Sequence, residues 1–175
     1  MTGRQQGTVL IVGIGSDAGD DQAGWLAAER LAARIDSETA GTFPNVPVRT
    51  ARVPLDVSDW LDGVGTLVLI DACQSDDRPG TIHRFNWHAD HGHLTETECR
   101  VRFRTDAATT HDYDLPTTLK LLERTHGLPS KVEIIAVTGR DFAVGASVSH
   151  EAVSAADQIA EELFTWLLRR GPEFS

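Results

Sequence analysis

One stretch near the start, Val9-Leu-Ile-Val-Gly-Ile-Gly-Ser-Asp-Ala-Gly-Asp-Asp-Gln-Ala-Gly-Trp25, constrains the chain more than any other. Val9 to Val12 is a short, continuous apolar run rich in β-branched residues. Such a run suits a strand covered on both faces in a parallel sheet. Gly13, Gly15 and Gly19 then give the backbone freedom for a sharp turn. Beyond them Ala23, Leu26, Ala27, Leu31 and Ile35 recur at helical spacing, so Asp20 and Asp21 are expected in the first turn of a helix, where its dipole favours negative charge.

Strand, glycine turn and helix together invite a dinucleotide-binding reading. The glycines run G-x-G-x-x-x-G instead of G-x-G-x-x-G, and Asp17, Asp20 and Asp21 stand where a pyrophosphate would need bare N–H groups. Charge therefore turns the loop from phosphate towards cation. The whole chain points the same way: its 175 residues carry a net charge of −10, with no basic stripe interleaved with aromatics, which argues against nucleic acid or an anionic membrane as partner.

No apolar run reaches the ~18 residues of a membrane span, and residues 1–7 lack the apolar core of a signal peptide. The expectation is a soluble, cytoplasmic monomer of one domain over residues 1–175, with a flexible tail at 1–7. Cys73 and Cys99 form no C-x-x-C, so neither a disulfide framework nor a zinc ribbon is expected.

Further along, Val48 to Val53 reads as a strand and Pro54 to Gly63 as a short helix. Thr66-Leu-Val-Leu-Ile-Asp71 reads as a buried strand ending on a carboxylate. Ile82 and Phe85, with Trp87, suggest another strand. Residues 86–98 read as a polar loop insert holding His88, His91 and His93. Cys99, Val101 and Phe103 alternate with Arg100, Arg102 and Arg104, as in an edge strand with one wet face. A helix capped by Asp114, with Pro116 in its first turn, runs to a stop at Gly127. Lys131 to Val137 is a last strand, and a final helix follows the loop 139–149. Strands alternating with helices predict an α/β fold, a three-layer α/β/α sandwich with a mostly parallel central sheet and an antiparallel edge strand or hairpin.

Asp21 or Asp20, Asp71 and His111 could meet above such a sheet. Two oxygens and one imidazole leave coordination positions open, as catalytic sites for a divalent transition metal such as zinc or nickel require. Each residue alone has an ordinary explanation: a solvated helix cap, a turn aspartate, a surface histidine. His88, His91 and His93 likewise read as a solvated loop, the three arginines as guards of an edge, and Cys73 as a small semi-buried residue.

Gly13-Ile-Gly-Ser with Asp20-Asp21 and Gly24, then Leu69-Ile-Asp71-Ala, Pro79-Gly80-Thr81, Thr110-His111 before a Leu-rich helix, Val132 to Val137 and the Ser149 helix, taken in order, resemble the hydrogenase maturation endopeptidase family. The resemblance implies an α/β sandwich endopeptidase that removes a C-terminal extension from the large-subunit precursor of a nickel-iron hydrogenase after nickel insertion. It also implies that Asp21, Asp71 and His111 engage nickel already carried by the substrate, with zinc or another divalent metal as a stand-in. Asp20 could then orient a water or act as base. The chain departs from the family at Ser16, where asparagine is usual, at Gln22, where glycine is frequent, in a turn one residue shorter, and in the insert 86–98. Two other classes stay open: a non-proteolytic nickel- or precursor-binding assembly factor, and a nucleotide-binding domain.

Overall fold

The computed structural model describes residues 8–39, 46–94, 100–103 and 113–170. Strand β1 (Thr8–Ile14) lies between β2 (Val48–Ala51) and β3 (Val64–Ser75), parallel to both. β3 pairs in parallel with β6 (Lys131–Thr138), and β6 carries the antiparallel β4 (Ile82–Asn86) at the edge. A sixth strand, β5 (Val101–Phe103), pairs antiparallel with the far end of β3.

Alternate residues of the central strands feed two cores, as the two-residue period of a strand dictates. Val9, Ile11, Val68, Ile70, Ile135 and Val137 pack under α1 (Ala23–Thr39) and α4 (His150–Arg170). Leu10, Val12, Leu67, Leu69, Ile134 and Ala136 face the other way, towards α2 (Trp87–Leu94), α3 (Leu115–Thr125) and a 3-10 turn over Pro54–Trp60. The expected three-layer α/β sandwich, mostly parallel with an antiparallel edge, is the architecture that forms.

Four local expectations change. The acidic pair precedes α1 in a 3-10 turn over Gly19–Gln22, so α1 itself opens without a carboxylate in its first turn. The early glycines serve close packing as much as bending: a Cβ on Gly13 would stand 2.0 Å from the Gly24 carbonyl oxygen. Only glycine lets α1 settle this near β1.

Asp71 does not end its strand, because β3 runs on to Ser75. What ends there is a partnership. β1 pairs with β3 as far as Ile70, and β5 takes up β3 from Cys73, so Asp71 and Ala72 occupy the place where one neighbour is exchanged for another. Finally, residues 87–94 of the presumed loop insert are helical. Asn86 accepts from the Ala89 N–H at its start, Trp87 and Leu94 are buried at its ends, and the His88 ring bonds the Pro129 carbonyl at 3.0 Å.

Candidate functional site

Asp71 sits where β3 exchanges one partner for another. It is 5% exposed, and its Oδ1 accepts one short bond, 2.8 Å, from the Ala72 N–H. Burial pushes its pKa well above the ordinary carboxylate value, the negative charge of Asp21 pushes it further, the Ala72 donor opposes this, and the charge of Asp114 adds to the rise. The fold thus brings Asp21 and Asp71, two of the expected site residues, within electrostatic reach of each other.

Asp21 is half-buried in the Gly19–Gln22 turn and its Oδ2 accepts the Ser16 hydroxyl at 2.6 Å. Asp114 caps α3, its Oδ1 accepting the Thr117 N–H at 2.9 Å. The sequence marks Asp114 as a cap, yet nothing local says that its charge reaches Asp71. Ser16 is likewise invisible as a partner of Asp21 until the turn is formed. His111, the third expected member, lies outside the described residues, as do Cys99 and Arg104. Among the described residues no three His, Cys, Asp or Glu side chains group to hold a metal ion.

Asp20 has a different setting. It is fully buried, and its Oδ2 accepts the N–H groups of Arg140 (2.6 Å) and Asp141 (3.4 Å) while its Oδ1 accepts that of Ser149 (2.6 Å). Burial alone would raise its pKa, but the donors from Arg140, Ser149 and Asp141 outweigh it and hold the pKa of Asp20 below the ordinary value. A carboxylate whose two oxygens already face main-chain donors is poorly placed to orient a water. The contacts that Asp20 makes here are structural, to the main chain of the 140–149 segment.

A second polar group lies on the same face of the sheet. The Thr138 hydroxyl meets the Ser75 hydroxyl at 2.8 Å and the His83 Nε2 at 2.9 Å, with Cys73 Sγ at 3.9 Å. Asp77 comes within 3.7 Å of the same Nε2 and within 3.6 Å of Arg100. A nucleophilic triad needs hydroxyl and carboxylate on opposite ring nitrogens. Here both approach one nitrogen, so the group reads as packing of polar side chains at a strand end.

Neither a family model nor a curated protein sequence matches the chain. Solved structures do. The chain superposes on the [NiFe] hydrogenase maturation protease HybD from Thermococcus kodakarensis with a TM-score of 0.66 and 18% identity, covering 91% of this chain and 99% of that one. The hydrogenase maturating endopeptidase HybD from E. coli matches with a TM-score of 0.66 and 16% identity over 94% of both chains. The endopeptidase HycI from Escherichia coli matches with a TM-score of 0.65 and 20% identity, over 91% of this chain and 90% of that one. The chain therefore has the fold of hydrogenase maturation proteases.

Proposed function

We propose that this protein is an endopeptidase of hydrogenase maturation, which removes the C-terminal extension of a nickel-iron hydrogenase large-subunit precursor once nickel is in place. The observation that carries the reading is the pairing of Asp71 with Asp21: two carboxylates held in mutual repulsion, one of them almost fully buried, where a fold shared with such endopeptidases exchanges strand partners. Like charges in a poorly solvated place are relieved by a proton or by a cation. Oxygen donors suit a hard or borderline divalent ion, and His111 would add one nitrogen.

In this reading the nickel belongs to the substrate, and Asp21, Asp71 and His111 engage it as a test of completed insertion. Bound there, the metal would supply Lewis acidity towards the scissile carbonyl or a water. Ser16 orients the Asp21 carboxylate. With the oxygens of Asp20 committed to main-chain donors of the 140–149 segment, Asp21 and Asp71 are the two carboxylates left to meet the metal.

Co-expression with a nickel-loaded precursor, followed by mass measurement of the product, tests the reading. Loss of the extension is expected with the wild-type chain and not with Asp21→Ala, Asp71→Ala or His111→Ala. An uncut precursor under conditions where a homologue cuts it removes the assignment. Tight precursor binding without any cleavage would make the chain an assembly factor instead.

A further inference from the structure

We propose that Asp20 is a positioning residue that closes the neck of the loop 140–149 and locks it to the turn bearing Asp21. Loop and carboxylate would then meet a substrate as one rigid unit. The lock rests on geometry alone; its consequence for cleavage rests on the peptidase reading above.

In a 3-10 turn successive side chains diverge by about a third of a revolution, so two adjacent residues cannot serve one place. The Asp21 carboxylate meets the Ser16 hydroxyl, and that of Asp20 meets the main chain of the loop. One oxygen of Asp20 holds the Arg140 and Asp141 N–H groups, the other holds that of Ser149, nine positions beyond Arg140. Its own N–H donates to the Asp141 carbonyl at 2.7 Å. Gly19 allows this approach: its φ is +55°, and a Cβ there would stand 2.3 Å from the Asp141 oxygen. A single carboxylate thus fastens both ends of the loop to the turn that carries Asp21.

The loop is also set at its far end. The Asp141 side chain accepts the Ala143 N–H at 2.9 Å, and Ala146 donates to the Ala143 carbonyl at 3.0 Å, closing a turn in which Gly145 has φ +79°. Val144, at the crest of that turn, is 91% exposed. The flanking elements have their own anchors, Val137 in β6 and Ala152, Ala155 and Ala156 in α4. The lock therefore orders the loop, and not the sheet or the helix.

Amide exchange on the full chain reads the lock without reference to activity. Asp20→Asn keeps one oxygen and turns an NH2 group against donors, so exchange at Arg140, Asp141 and Ser149 should rise at least about tenfold, and by more than it rises in β3 and β6. Unchanged exchange at those three amides overturns the proposal. A second variant, Gly145→Ala, strains the crest where no other group lies within 4 Å, leaving the core untouched. On the nickel-loaded precursor both variants should raise KM, by about tenfold for Asp20→Asn and by less for Gly145→Ala, with kcat within about threefold of wild type. A collapse of kcat at unchanged KM would make Asp20 a group acting on the reacting atoms and would overturn the positioning role. If the wild-type chain leaves the precursor uncut, the peptidase reading fails and amide exchange still decides the lock.

Discussion

Asp20 and Asp71 are residues of one type, both shut off from water, and their pKa values move in opposite directions. Burial pushes each of them up. At Asp20 three main-chain N–H groups and the Ser149 side chain reverse the push, whereas Asp71 receives one main-chain donor and two neighbouring carboxylates. Burial does not decide the outcome; the company of the group does. The region around Asp20 is built to keep a charge comfortable and a loop in place. The region around Asp71 keeps a charge uncomfortable, which is the condition under which a carboxylate takes up a proton or a cation.

The largest expected effect separates these two regions by activity. Asp71→Asn should lower precursor cleavage by at least about a hundredfold while leaving the unfolding temperature unchanged or a few degrees higher, because the amide removes a repulsion. Differential scanning calorimetry beside the cleavage assay checks it, and a large fall in stability would break the comparison. Asp20→Ala should do the opposite to stability. It strands three N–H donors and costs about 3 kcal/mol in urea unfolding, since each buried donor left without a partner is itself costly.

A smaller effect follows from pH. Between the ordinary value of 3.8 and its raised folded value, Asp71 keeps a proton in the folded chain that the unfolded chain has released. Stability then falls as pH rises through that window. For Asp20 the folded value lies below 3.8, so its contribution is whole above 3.8 and is lost as pH falls through the folded value. Urea midpoints of the wild type and Asp71→Asn should therefore separate upward from about pH 4, and those of the wild type and Asp20→Asn should converge below about pH 4. Parallel curves in both cases would remove the distinction between the two aspartates.

Much of the scaffold was legible because its signals are local. The apolar runs of β1, β3 and β6 announce buried strands, and Asp114, Pro116 and Gly127 bracket α3 as cap, first turn and stop. What differs between Asp20 and Asp71 was not legible, because the partners of Asp20 lie 120 to 129 positions away. Equally, the setting of Asp71 depends on where β1 stops and β5 begins, two facts that no window around Leu69-Ile-Asp71 contains. The helix over Trp87–Leu94 escaped for another reason. Its two buried apolar residues stand at its ends with polar residues between, which leaves no periodic stripe, and its clearest mark was the capping side chain of Asn86.

The smallest effect sharpens the active side of the comparison. Ser16 is buried and gives its hydroxyl proton to Asp21 Oδ2 at 2.6 Å, a charge-assisted bond that fixes one rotamer of a residue on a short turn. Ser16→Ala removes that donor without disturbing Asp20, whose partners lie in the other direction. Cleavage should drop by about fivefold and stability by about 1 kcal/mol, because one hydrogen bond to a carboxylate is lost while the half-buried Asp21 can still reach water. Ser16→Asn tests the same bond from the other side. An amide N–H can donate to the carboxylate, and asparagine is usual at this position in the family that the sequence resembles, so this larger residue should recover most of the lost rate. Recovery with Asn and loss with Ala would tie the effect to the donor; equal losses in both would tie it to packing at the turn.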